Sequence, residues 1–88
     1  MGKKQIEDLI INVIEDIVNI NITDKNLNLF GDKYHITPRD MIYIIFDIEK
    51  KLGKEIASVF ETEDIGIMTI NNLAEEIEKH IAVWSTYR

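Results

Sequence analysis

The residue types that most often perform catalysis or bind metals are sparse in this chain. Its two histidines, His35 and His80, lie far apart in the sequence, and neither has an obvious third ligand. Ser58 and Ser85 are the only serines, and neither lies in the glycine-flanked turn that exposes a hydrolase nucleophile. Cysteine is absent, which excludes disulfides, thiolate zinc sites and a cysteine nucleophile. We therefore expect solvated histidines, no catalytic residue and no metal site.

The segment from Asp24 to Asn28 is spaced like the start of a calcium-binding loop. Such a loop needs a glycine at its sixth position for a sharp turn and a bidentate glutamate at its twelfth. This chain has Leu29 and His35 at those two positions. Because the pattern fails where the chemistry is strict, we expect no calcium site here.

A more informative pattern lies between residues 37 and 53, where one set of apolar residues recurs at helical spacing and is expected to face the core. That set is Met41, Ile44, Ile45, Ile48 and Leu52. Ile42, Tyr43 and Phe46 then form an apolar cluster on the outer side, among charged residues. Contiguous exposed apolar patches usually mark contact with another molecule. In the alternative interpretation, the preceding loop or Trp84 covers the cluster.

The helix that carries this cluster has clear start and stop signals. Thr37 is a suitable N-cap, Pro38 suits the first helical position, and Asp40 three residues after Thr37 resembles a capping box. Gly53 supplies a C-terminal stop. These signals favour a helix over a strand for this isoleucine-rich run.

A first helix is predicted from about Lys3 to Val18. Its apolar stripe follows the i, i+3, i+4 series and consists of Ile6, Leu9, Ile10, Val13, Ile14 and Ile17. A long connection follows at 19–36, and it is rich in Asn, Asp and Gly. Loops of this length are usually packed or functional. The loop is expected to be held on the core by Leu27, Leu29 and Phe30.

The rest of the chain predicts a short third helix at 58–65, ended by Gly66, and a last helix capped by Thr69. The last helix carries a stripe of Ile70, Leu73, Ala74, Ile77 and Ile81. Residues 83–88 are interpreted as a tail, and the sequence does not decide whether it folds back.

The bulk composition fits one small globular domain. Hydrophobic residues make up 45% of the 88 residues, well above what disordered chains contain. The net charge of −6 argues against nucleic acid, whose phosphates are neutralised by Lys and Arg, and it suits basic protein partners or simple solubility. No apolar run approaches the ~18–20 residues that cross a bilayer. Without disulfides, the cytoplasm is the expected location.

The order of these elements resembles the acyl carrier protein fold, from about Ile6 to Ile81. The best-matching stretch is Thr37-Pro-Arg-Asp-Met-Ile-Tyr-Ile-Ile-Phe-Asp-Ile-Glu-Lys-Lys-Leu-Gly-Lys-Glu-Ile56. The later Ile67-Met-Thr-Ile-Asn-Asn-Leu-Ala74 looks similar to the entry of a carrier's last helix. The resemblance implies an all-α bundle of three main helices plus a short third helix.

The same resemblance places Pro38 where a carrier has its serine, with Thr37 and Asp40 on the flanking acidic positions of that motif. Proline has no hydroxyl, so no phosphopantetheine can be esterified there, and no cofactor is expected. A carrier's second helix is acidic and docks basic enzymes, whereas Tyr43, Lys50 and Lys51 alter that chemistry here. The expected partner-binding residues are Arg39, Asp40, Ile42, Tyr43, Phe46 and Asp47.

These expectations describe a non-enzymatic, carrier-like adaptor that docks a protein or peptide partner through its second helix. The segment around Tyr34-His-Ile-Thr-Pro-Arg-Asp40 also resembles the acyl carrier-related proteins of bacterial peptide maturation systems, which implies a modification or biosynthetic enzyme as partner. Two alternatives stay open at this point. One is a working acyl or peptidyl carrier modified at a non-standard site such as Thr37, and the other is a structural homo-oligomer.

Overall fold

The computed structural model describes residues 2–53, 55–56 and 68–86, with the last five by their backbone alone. Within these ranges every regular element is an α-helix: α1 (Lys3–Val18), α2 (Pro38–Leu52) and α3 (Ile70–Thr86). Helix α1 packs against both α2 and α3. The short helix predicted at 58–65 lies outside the described residues. No helix in the described part is long and apolar enough to cross a membrane.

The predicted bounds of the first two helices are confirmed, and of the capping box predicted at Thr37 and Asp40 the Thr37 half is recorded. The Oγ1 atom of Thr37 accepts a hydrogen bond from the Asp40 amide at 3.1 Å, which caps the start of α2. Gly53 ends α2 in the left-handed conformation, with φ at 70°, and Asn19 ends α1 in the same way at 60°. Left-handed backbone is easy for glycine and tolerated by asparagine, so both residue types suit their positions.

Helix α3 begins as predicted and ends later than predicted. The Oγ1 atom of Thr69 accepts a hydrogen bond from the Asn72 amide at 3.1 Å, which confirms the cap. The helix then continues to Thr86, four residues into the segment 83–88 that the sequence suggested was a tail. Neither glycine nor proline occurs after residue 69, so nothing in the sequence breaks the helix there.

The core is built from one face of each helix together with residues of the connections. Helix α1 contributes Ile6, Ile10, Val13 and Ile14, α2 contributes Met41, Ile44 and Ile48, and α3 contributes Ile70, Leu73, Ala74 and Ile77. The connections add Leu29, Tyr34, Ile36, Ile56 and Met68. Most residues predicted to face inward are therefore buried.

The predicted core includes several residues that the structure leaves partly exposed. Leu9 of α1, Ile45 and Leu52 of α2 and Ile81 of α3 are only partly buried. Ile17 has the right angular position on α1, but it lies in the last turn and remains 37% exposed. Helical spacing predicts which side of a helix faces the core, but it does not predict how far along the helix the neighbours extend.

The long connection at 19–36 is held on the core as expected. Leu29 is fully buried, and Leu27 and Phe30 pack against the core. The Leu29 amide also donates to the Met68 carbonyl at 2.8 Å, and the Ile36 amide donates to the Leu29 carbonyl at 3.2 Å. The connection is therefore fixed to the segment that leads into α3.

Tyr34 organises the first half of this connection, which the sequence did not suggest. Its buried hydroxyl accepts hydrogen bonds from the amides of Asp24 at 2.9 Å and Thr23 at 3.2 Å. Burial acts to raise the pKa of the Tyr34 phenol, but these hydrogen bonds and the nearby Lys33 ammonium lower it, and the net pKa lies below its usual value. The phenol oxygen is thus an acceptor that fixes the backbone of the loop.

Candidate functional site

The most distinctive surface of the described chain is an apolar face on α2. Ile42, Tyr43 and Phe46 are 52%, 53% and 61% exposed. Phe46 lies four residues after Ile42 and three after Tyr43, which are the spacings that put residues on one side of a helix. The predicted exposure of these three residues is confirmed. The apolar residues of the loop, Leu29 above all, are directed to the core rather than over this cluster. The side chain of Trp84, the other proposed cover, lies outside the described residues.

Ile17 extends this surface from α2 onto the end of α1. Together with Tyr43 and Phe46 it lines an open groove of about 570 Å³. We refer to Ile17, Ile42, Tyr43 and Phe46 as the apolar face. They are the exposed large hydrophobic residues of the part of the chain that the structure describes. Helical spacing puts Ile17 in the core stripe of α1, and the sequence signal against this placement is its position in the last turn of the helix.

Four charged residues surround the apolar part of the groove: Asp16 from α1 and Asp47, Lys50 and Lys51 from α2. Lys51 and Asp47 pair with each other across one helical turn, at 2.7 Å between Nζ and Oδ2. Within the described residues, the side chains of Asp16 and Lys50 form no ion pair or hydrogen bond. The groove therefore has an apolar floor and a rim that carries charges of both signs. Among the residues that the structure describes, one charge on each side of the groove, Asp16 and Lys50, has no side-chain partner.

The six residues predicted to bind a partner do not all lie together. Three of them form most of the apolar face, and Asp47 lies on the rim of the groove. Arg39 and Asp40 lie in the first turn of α2, where Arg39 is exposed and Asp40 half-buried, and neither lines the groove. The geometry therefore favours the middle and end of α2 over its first turn.

The hydroxyl at the start of α2 belongs to the helix cap. Pro38 occupies the first helical position and is exposed. The neighbouring hydroxyl of Thr37 is exposed as well, but its oxygen accepts the Asp40 amide and so satisfies one of the unpaired donors at the helix start. Modification of that oxygen would disturb the cap.

The loop that resembled a calcium site uses its side-chain oxygens for other purposes. Asp24 Oδ1 accepts the Asn26 amide at 2.9 Å, and Asn28 Oδ1 accepts the Phe30 amide at 2.9 Å, which are contacts typical of tight turns. Asn26 Oδ1 accepts from Asn71 Nδ2 at 3.2 Å. These oxygens hold the loop in shape and tie it to α3.

The remaining candidates for chemistry are dispersed. His35 is exposed, and the ring of His80 is hydrogen-bonded to the Glu55 carbonyl at 3.1 Å. Across residues 2–53, 55–56 and 68–86, no three His, Cys, Asp or Glu side chains are grouped so that they could hold a metal ion. Ser58 and the side chain of Ser85 lie outside the described residues. Comparison with models of protein families, with curated proteins and with solved structures found no match to this chain.

Proposed function

We propose that this chain is a non-enzymatic adaptor, similar in design to an acyl carrier protein without its prosthetic group, which binds a protein partner through its apolar face. The observation that carries the proposal is the exposure of Ile42, Tyr43 and Phe46 on one side of α2. Completing the burial of such side chains in an interface stabilises a complex by roughly 1 kcal/mol each. Aromatic residues surrounded by a polar rim are also common at the centres of protein interfaces.

The resemblance to carriers supports the same face. Carriers dock their enzymes through the second helix, and α2 is the helix that presents the apolar face here. Tyr43 lies where a carrier is expected to have an acid, so apolar contact replaces much of the charge attraction. The weaker resemblance to carrier-related proteins of peptide maturation systems suggests a peptide-modifying or biosynthetic enzyme as the partner.

The absence of a prosthetic arm is part of the proposal. Pro38 has no hydroxyl, and the Thr37 oxygen is already the cap of α2. Intact-mass measurement after incubation with coenzyme A and several phosphopantetheinyl transferases tests this point. We expect the mass to stay unchanged. A gain of one phosphopantetheine would instead support the alternative, a carrier modified at Thr37 or another site.

Binding is best tested with purified proteins encoded beside the gene for this chain, titrated by calorimetry. Replacing Tyr43 and Phe46 with serine should abolish binding, because it removes the apolar centre of the face. Both side chains are more than half exposed, so helicity measured by circular dichroism should be retained.

The matched control replaces Glu75 and Lys79 with serine, since both are exposed on α3 away from the groove. This double variant should bind as the wild type does. If the Tyr43/Phe46 variant bound its partner with unchanged affinity, the face would not be the docking site.

A further inference from the structure

We infer that a second copy of this chain covers the apolar face when the partner is absent, in a two-fold dimer that pairs Asp16 of each copy with Lys50 of the other. The regulatory role of this dimer rests on the proposed function, because the dimer would cover the face that is proposed to bind the partner. A dimer of this kind can be detected in experiments on the purified protein alone.

The charges around the groove carry the inference. Asp47 and Lys51 neutralise each other within one chain, at 2.7 Å. Asp16 on the α1 side and Lys50 on the α2 side line the same groove and have no side-chain partner within the described residues. One uncommitted negative charge and one uncommitted positive charge thus lie on opposite sides of the same apolar floor.

This arrangement is complementary to itself. A two-fold axis running along the groove brings the α1 side of one copy against the α2 side of the other, so Asp16 meets Lys50 twice. The same operation stacks the apolar floors, which hold Ile17, Tyr43 and Phe46, at the centre of the interface. The result is an apolar core with a charged rim, as is usual for protein interfaces.

The positive and negative charges around the groove are equal in number. They therefore favour a second copy of the chain, rather than a strongly basic protein, as the molecule that covers the groove when the partner is absent. The two acids and two bases that line the groove sum to zero, so the groove itself does not select for a partner of one sign. The net charge of −6 on each copy opposes association, but salt at physiological strength screens charges more than about 8 Å apart. We therefore expect a reversible dimer whose fraction depends on concentration.

Dimer formation and partner binding would then exclude each other, because both bury the same side chains. Raising the concentration of this chain should lower the apparent affinity for its partner, since only the monomer is competent to bind. The dimer would keep the apolar face away from unspecific contacts until the partner displaces one copy.

Sedimentation velocity of the full chain at physiological ionic strength, across a wide range of concentrations, tests the inference. The wild type should shift from monomer to dimer. Asp16→Lys alone and Lys50→Asp alone should each dimerise at least about tenfold more weakly, because each places like charges at both rim contacts. An equal mixture of the two variants should dimerise again, because the heterodimer restores opposite charges at both contacts.

Charge-matched controls are Glu75→Lys and Lys79→Asp, which make the same changes in net charge on the exposed side of α3 and should leave dimerisation close to the wild type. Circular dichroism of all four variants should show unchanged helicity. A wild type that stays monomeric at every concentration overturns the inference, and so does a mixture of the two rim variants that fails to dimerise.

The two proposals fail in different experiments. A monomeric wild type that still binds its partner through the face would overturn the dimer and leave the adaptor. A dimer with the expected charge behaviour, combined with no effect of the Tyr43/Phe46 replacement on partner binding, would overturn the adaptor alone.

Discussion

The carboxylate of Glu49 accepts a hydrogen bond from the amide of Ile56, at 2.9 Å, and so ties the last turn of α2 to the chain that follows it. The same contact occurs at the end of α1, where Glu15 accepts from the amide of Ile22 at 3.1 Å. In both cases the donor lies seven residues after the glutamate, beyond a left-handed residue that ends the helix. Two helix ends of this small chain are therefore built in the same way.

This contact predicts a loss of stability when the acceptor at position 49 is removed. Glu49→Ala should lower the free energy of unfolding by about 1–2 kcal/mol, because the amide of the buried Ile56 loses its charged partner. Glu49→Gln retains an oxygen acceptor and should lose less. Urea unfolding followed by circular dichroism measures both. Glu55→Ala, at an exposed neighbour, is the control and should be close to neutral; equal losses at positions 49 and 55 would contradict the prediction.

Three isoleucines of α2 provide an internal test of the core face. Ile44 is 1% exposed, Ile45 is partly buried and Ile42 is 52% exposed. Replacement by alanine should therefore cost about 2–5 kcal/mol at Ile44, about 1–2 kcal/mol at Ile45 and less than about 0.5 kcal/mol at Ile42.

A domain of this size has only ~3–5 kcal/mol of net stability, so Ile44→Ala can unfold it completely. Ile44→Val, with an expected cost of about 0.5–1.5 kcal/mol, keeps the comparison measurable. With valine introduced at each of the three positions in turn, the loss in denaturant midpoint should decrease in the order 44, 45, 42, and the alanine variants that remain folded should follow the same order. Any other order would mean that the core face of α2 is placed wrongly.

Replacement of Gly53 should destabilise the fold through the backbone conformation alone, without a steric clash. A Cβ at this position would meet no atom within 4 Å, but φ is 70°, a left-handed conformation that is unfavourable for alanine. Gly53→Ala should lower the free energy of unfolding by about 1–2 kcal/mol. Gly2→Ala also has open space and no positive φ, so it should have no such cost. Thermal unfolding of the two variants checks this, and equal midpoints would refute it.

Tyr34 predicts a dependence of stability on pH. Its pKa in the folded chain lies below the usual value of 10.0, so the folded state favours the phenolate more than the unfolded state does. The resulting stabilisation is present above the unfolded pKa and is lost as the pH falls through the folded pKa.

The difference in unfolding free energy between the wild type and Tyr34→Phe should therefore widen as the pH is raised from neutral towards about 10. Urea titrations at a series of pH values measure this difference. At neutral pH it should still be about 1–3 kcal/mol, because phenylalanine offers no acceptor to the amides of Thr23 and Asp24. A difference that narrows with rising pH would show that the direction of the pKa shift is wrong.

The sequence predicts the features that depend on near neighbours. Thr37, Pro38 and Gly53 act within one turn of a helix end, so their types are enough to place α2. The cluster at Ile42, Tyr43 and Phe46 is likewise predictable, because helical spacing puts it on a different side of α2 from the buried Met41, Ile44 and Ile48.

The features that sequence reasoning missed depend on contacts across the fold. The hydroxyl of Tyr34 meets the backbone of residues about ten positions earlier, which periodicity does not encode. Ile17 continues the stripe of α1 but lies beside the open groove, and only the packing of α2 shows this. The late end of α3 was missed because the absence of a breaker is a weak signal compared with a cap or a glycine.

The hydrogen bonds between the long connection and the start of α3 also bear on how the chain folds. Asn71 donates through its amide to the Lys25 carbonyl at 3.0 Å and through its side chain to Asn26, 45 residues away. Closing so large a segment loses chain entropy before any contact compensates for it. The first turn of α3 and the ordering of the connection therefore belong to one cooperative event, and neither is expected to acquire its native arrangement while the other is unfolded.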